Sequence, residues 1–172
     1  MKILQIGLGG FGKNHLRAWA QMGLARDLSI ADLSQERLKE AQELFGIAAD
    51  RLVTDYRALI QEADVVDVVT PSDSHYAICA EALRLGKDVF VEKPMTMTSQ
   101  EADQLAEAVE RIGRILQVGY YYRFHPISQY VREQIRNGQL GSIRYLSGQF
   151  MGFKRARTDV GVTHTDGIHF ID

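Results

Sequence analysis

The stretch "QIGLGGFG", residues 5–12, decides the fold. It sets Gly7-x-Gly9-x-x-Gly12 where an apolar run, "KILQIG", gives way to a segment of helical period, "FGKNHLRAWAQMG". Such spacing is weak in isolation, but between a strand and a helix it has a mechanical reading. Gly7 permits a tight turn, Gly9 lets the backbone approach a pyrophosphate, and Gly12 lets the helix lie close to the sheet. The N–H groups at the helix start, around Gly10 and Phe11, then face the anion. The next apolar run, "LSIAD", closes on Asp32, 20 residues past Gly12. That is where an acid accepts the ribose hydroxyls of an adenosine. A carboxylate there repels a 2′-phosphate, so the pattern favours NAD over NADP. Arg37 in the following helix leaves NADP open, although an arginine there also reads as a solvated helix-face residue.

Working outward, short runs rich in β-branched residues alternate with longer helical segments. The expected strands are "KILQIG", "DLSIAD", "RLVT", "DVVDVVT", "KDVFVE" and "RILQVG". Between them lie the expected helices "FGKNHLRAWAQMG", "SQERLKEAQELFG", "DYRALIQEA", "SDSHYAICAEALRLG" and "TSQEADQLAEAVERIG". Alternation of this kind predicts a Rossmann-type α/β fold, a doubly wound parallel sheet. "DVVDVVT" is nearly continuous valine, as a strand covered on both faces should be. The pattern changes after Gly119. An aromatic "YYYRFHP" leads into an amphipathic helix, "ISQYVREQIRNGQLG", then an alternating stretch, "SIRYLSGQFMGF", read as an antiparallel-type strand, then a polar loop. We therefore expect a nucleotide-binding domain over 1–119 and the truncated opening of a substrate and oligomerisation domain over 120–172. An edge strand without its sheet should drive self-association or leave this stretch mobile.

Charge excludes some functions. Lys and Arg total 20 against 22 acids, a balance that supplies no broad attraction for nucleic acid or an anionic membrane. "MKILQIGLGG" lacks the apolar core and cleavage site of a secretory signal, and no segment reaches membrane-spanning length. We expect a cytoplasmic protein. The single Cys79 sits in a helical pattern and reads as a buried, inert thiol.

Two further stretches fall at carboxyl ends of expected strands, where open α/β sheets bind ligands. "VFVEKPMT" places Glu92, Lys93 and Pro94 there, with a mobile cation that can hold a substrate oxygen and a proline that is a candidate for a cis bond. "VVTPSDSH" places Thr70, Pro71 and Ser72 on the same edge. His75 either caps the next helix or reaches the cofactor side. Tyr122 and Arg123 stand at the domain junction, for packing or for contact with substrate. Trp19 reads as a core residue and His15 as a surface or packing residue.

Together, the glycine loop, "TPSDSH", "AEALRLGKDVFVEKP" and "VGYYYRFHP" resemble the Gfo/Idh/MocA oxidoreductases, in that family's order along essentially the whole chain. The resemblance implies NAD(P)-dependent hydride transfer to or from a hydroxyl of a sugar, cyclitol or related compound. It also implies a homo-oligomer of chains about twice this long. In that family a His on a helix of the second domain serves as acid/base, with an Asp four residues before it, and the EKP lysine assists. His169 matches the histidine, but Thr165 stands where the Asp belongs and Asp166 is its neighbour. Asp166 and His169 at i,i+3 still share a helix face. Lys93, His169 and Asp166 are thus the catalytic candidates, with Tyr122, Arg123 and Thr165 as substrate contacts. A metal reading of His164, Asp166 and His169 has no support from the resemblance, and none is expected. Two other functions stay open: a glycosidase that oxidises its sugar transiently on a retained NAD, and a non-catalytic dinucleotide sensor.

Overall fold

The computed structural model describes residues 1–149, 161 and 167–171. They form two compact units, Met1–Val118 and Gly119–Asp172.

In the first unit all six expected strands form: β1 (Ile3–Ile6), β2 (Leu28–Ala31), β3 (Leu52–Val53), β4 (Val65–Val68), β5 (Asp88–Val91) and β6 (Leu116–Val118). They make one sheet in the order β3-β2-β1-β4-β5-β6. Every pairing is parallel. The chain winds outward from β1 in one direction and from β4 in the other, the doubly wound arrangement with its switch point between those two strands.

Four helices cover the sheet: α1 (Gly10–Gln21), α2 (Gln35–Phe45), α3 (His75–Arg84) and α4 (Ser99–Ile112). Because strand side chains alternate, two cores result. Leu4, Ile6, Val66, Val68, Val89 and Val91 pack with Ile78, Cys79 and Ala82 of α3 and Leu105 of α4. Ile3, Leu28 and Ile30 pack on the other face with Leu16 of α1 and Leu38 and Ala41 of α2. Helix ends follow local chemistry. Ser34 caps α2, and Gly46 ends it in the left-handed region at φ 65°. Thr98 and Glu101 form a reciprocal capping box on α4, satisfying two N–H groups that would otherwise lack partners.

The expected helix over "DYRALIQEA" is not formed. Two 3₁₀ turns, Tyr56–Ala58 and Ile60–Glu62, stand in its place. This link must carry the chain from β3 past β2 and β1 to β4, three strand spacings or roughly 14 Å. A 3₁₀ turn rises about 2.0 Å per residue against about 1.5 Å for an α-helix, so the short link gains reach.

In the second unit a 3₁₀ turn, Tyr121–Phe124, leads into α5 (Pro126–Arg136). Pro126 takes the first helical position, and the His125 ring accepts a hydrogen bond from the Ile127 N–H. Ile127, Tyr130, Val131 and Ile135 leave an exposed apolar stripe on α5. A short helix, α6 (Ile168–Ile171), carries His169. The expected strand over 142–153 is absent from its described part, 142–149. A strand needs a ladder partner, and none pairs with this segment among the described residues. Tyr145 and Leu146 are accordingly more than four-fifths exposed, at 84% and 83%. No described helix is long and apolar enough to cross a membrane.

Candidate functional site

Parallel strands put their carboxyl ends on one edge, and there the loops after β1, β2, β4 and β5 converge. The turn after β1 is forced by geometry. Gly7 has φ +105°, and a Cβ on it would lie 2.5 Å from the Val69 carbonyl oxygen. A Cβ on Gly12 would strike the Gly7 carbonyl, so this glycine lets α1 close onto its own loop as well as onto the sheet. Gln5 holds the arrangement from beneath: its buried Nε2 donates to Gly7 O at 3.0 Å and Gly12 O at 2.8 Å. Gly9 and Gly10 differ. Among the described residues a Cβ on either would meet nothing within 4 Å, so none of them gives a reason for glycine there. Helix α1, like α3, begins without a side-chain cap and without an acid in its first turn, whereas α2, α4 and α5 carry their own caps.

Asp32 sits at the end of β2, largely buried. Its Oδ2 accepts the Leu8 N–H at 2.6 Å, and its Oδ1 accepts the Ser34 N–H at 2.8 Å. The carboxylate therefore closes the glycine loop from the side. Arg37 is not merely solvated, because its Nη1 lies 3.6 Å from Asp32 Oδ2.

The loops after β4 and β5 are tied together by His75. Its ring is 1% exposed, with Nδ1 2.8 Å from Pro94 O and Nε2 2.9 Å from Thr70 O. Both nitrogens are thus engaged with main chain, and His75 shapes the two loops from below. Ser74 Oγ lies 2.7 Å from both Thr70 Oγ1 and Pro71 O, and Ser72 is buried. The Lys93–Pro94 peptide is cis, and the Lys93 N–H donates to Glu92 Oε2 at 3.2 Å.

A buried polar cluster escaped the sequence reading. Asp67, in the middle of β4, is 0% exposed and faces α1. It accepts the Trp19 indole N–H at 2.7 Å and lies 3.0 Å from His15 Nδ1. The other His15 nitrogen, Nε2, is 3.2 Å from Glu92 Oε1. Burial by itself presses the His15 pKa down. The hydrogen bonds to Asp67 and Glu92, with their charges, outweigh it and raise the pKa from 6.5 to about 9. The available signal was an acid inside a strand of valines: buried polar groups need partners, and His15 and Trp19 at i,i+4 supply them. Cys79 is inert as expected, its thiol pushed up to about 12 by burial.

In the second unit the Tyr122 ring lies 5.1 Å from the His169 ring, nearly perpendicular at 84°, and the Tyr121 ring lies 5.5 Å from it. Arg123 is exposed in the same turn. His164, Thr165 and Asp166 lie outside the described residues. Among the described residues no cluster of His, Cys, Asp or Glu could hold a metal ion.

Residues 1–120 match the model of the Gfo/Idh/MocA oxidoreductase family, NAD-binding Rossmann fold. The chain belongs to this family. It is 32% identical over 97% of its length to D-apiose dehydrogenase of Paraburkholderia graminis, covering 47% of that protein. It is 30% identical over its whole length to UDP-N-acetylglucosamine 3-dehydrogenase of Acidithiobacillus ferrooxidans, covering 52% of it. The chain thus spans about half the length of the curated relatives it matches. Among solved structures it superposes on the WlbA dehydrogenase from Bordetella pertussis in complex with NADH and UDP-GlcNAcA. There the TM-score is 0.72 with 27% identity, covering 82% of this chain and 44% of that one.

For this Gfo/Idh/MocA chain the glycine geometry makes a direct prediction. Gly12→Ala should lower the stability read from urea denaturation by about 1–3 kcal/mol, as overpacking does. Gly9→Ala should stay within about 0.5 kcal/mol, like other open sites. His15 makes another. The unfolded chain releases its proton near pH 6.5 and the folded chain near 9, so its contribution is complete below 6.5 and is lost as pH rises through 9. Urea midpoints measured across that window should fall more steeply for the native chain than for His15→Gln.

Proposed function

We propose that this chain is the dinucleotide-binding part, and the first portion of the substrate-binding part, of a longer dehydrogenase. That enzyme would move a hydride between NAD and a hydroxyl-bearing carbon of a sugar, cyclitol or related compound. The observation that carries the reading is the helix start at Gly9 and Gly10. Among the described residues glycine there answers no contact, and an outside anion would meet the uncapped first N–H groups of α1. The relatives support the substrate class, since they include dehydrogenases named for D-apiose and UDP-N-acetylglucosamine.

In this reading Gly7, Gly9, Gly10, Phe11 and Gly12 hold the pyrophosphate and Asp32 the adenosine ribose. Asp32 keeps that capacity alongside its two internal bonds, because a carboxylate offers about four lone-pair sites. Arg37 beside Asp32 leaves room for NADP, with NAD preferred. Thr70, Pro71, Ser72, Glu92 and Lys93 line the nicotinamide end, with His75 supporting their loops. Bound NAD supplies the hydride acceptor. The substrate carbon then gives up hydride with its electron pair, the hydroxyl proton passes to His169, and a carbonyl forms. Lys93 stabilises the negative charge that develops on the oxygen. Tyr122, Arg123 and Thr165 contact substrate, and Asp166 assists His169. We further propose a cytoplasmic homo-oligomer, in which the apolar stripe of α5 would gain by pairing.

Calorimetric titration with NAD and with NADP tests the cofactor assignment. NAD should bind, and NADP should bind more weakly. Failure of both to bind the full-length protein would overturn the reading. In that protein, Lys93→Ala and His169→Ala should each lower kcat by about 10²–10⁴-fold, the usual worth of a positioned proton-transfer or charge-stabilising group. His169→Ala should leave NAD affinity unchanged, as separate titrations would show.

A further inference from the structure

Helix α1, which opens on the glycine loop, and the Lys93 loop belong to different strand–helix units, and one side chain bridges them. From α1, the His15 ring places Nδ1 3.0 Å from Asp67 in β4 and Nε2 3.2 Å from Glu92, the residue after β5. Glu92 uses its other oxygen to accept the N–H of Lys93 at 3.2 Å. Contacts therefore run without a break from α1 to the lysine main chain. The groups facing the ring are Asp67 from β4, Glu92 from the β5 end, the Phe90 ring edge-on at 5.6 Å, and Trp19 from the next turn of α1, bonded to the same Asp67. Only the two acids among them carry charge. With a carboxylate against each nitrogen, only the doubly protonated ring donates to both. A neutral ring would turn a lone pair toward one of them.

We propose that His15, as an imidazolium, is a positioning residue for hydride transfer: it fixes Glu92, and through it the main chain of Lys93, against the helix that opens on the glycine loop. The proposal rests on the dehydrogenase reading above. Loss of the proton leaves one donor for two carboxylates, so the tether to Glu92 loosens and Lys93 shifts. A shift of about 1 Å in a positioned group costs roughly 10²-fold in rate. Because the folded chain keeps this proton to about pH 9, kcat should fall as pH rises through that value.

The test uses the full-length protein with labelled histidine and lysine, followed by nuclear magnetic resonance and by steady-state kinetics. In the native protein the His15 ring should titrate well above pH 6.5, and the Lys93 amide should move with the same midpoint. In His15→Asn the amide nitrogen replaces Nδ1 and keeps the bond to Asp67, but the shorter side chain no longer reaches Glu92. That variant should keep NAD affinity, lose roughly 10- to 100-fold in kcat, lose the alkaline fall near pH 9, and show a Lys93 amide that no longer follows pH. Glu92→Gln, neutral throughout, should abolish the Lys93 response while His15 stays paired with Asp67, and it serves if His15→Asn does not fold.

A His15 ring titrating near 6.5, a Lys93 amide blind to it, or a His15→Asn protein that only melts lower with native kcat and pH profile would each overturn the proposal. The two readings separate cleanly. Native protein that transfers hydride while Lys93 ignores His15 sinks the tether alone. Native protein that transfers none while Lys93 follows His15 sinks the dehydrogenase reading and leaves the tether standing.

Discussion

A carboxylate in the middle of a parallel sheet is the constraint on which the first unit depends. Asp67 lies in β4 between β1 and β5, with Gln5 on one side in the register and Phe90 on the other, all beneath α1. An isolated buried charge is costly, so the helix laid over it must bring donors. Helix α1 brings two, His15 and Trp19, one turn apart. Gln5 adds two bonds to the loop that starts the same helix. This polar row determines how α1 sits, and the seat of α1 determines where its first N–H groups point.

Everything else near the site follows from that seat and from the parallel edge. Asp32 closes the glycine loop by taking the Leu8 N–H, and His75 draws the Thr70 and Pro94 carbonyls together. His15 then connects the two halves of the edge through Glu92. The loops that would hold a dinucleotide are therefore bonded to one another through buried side chains. A site built this way is already organised before a ligand arrives, which lowers the ordering cost of binding.

Much of this was legible from residue order alone. The six strands and the glycine turn follow from local chemistry, and each formed where expected. Misreadings came where partners distant in sequence decide. "DYRALIQEA" has helical composition, but the span from β3 to β4 makes it a pair of 3₁₀ turns. Residues 142–149 alternate like a strand, yet a strand exists only with a neighbour to pair with. His15 reads as a surface or packing residue and Trp19 as core because Asp67, 52 and 48 residues away, is invisible at helical range.

The sequence by itself determined the fold class and the place of the glycine loop between the first strand and the first helix. Hydrophobic period and glycine placement are local, so they can be read without coordinates. Only the tertiary structure decided that Asp32 and His75 are spent partly on holding loops, that Arg37 stands beside Asp32, and that His15 keeps its proton far above the usual range. Those facts depend on burial and on charges brought together across the sheet, and the linear order of residues records neither.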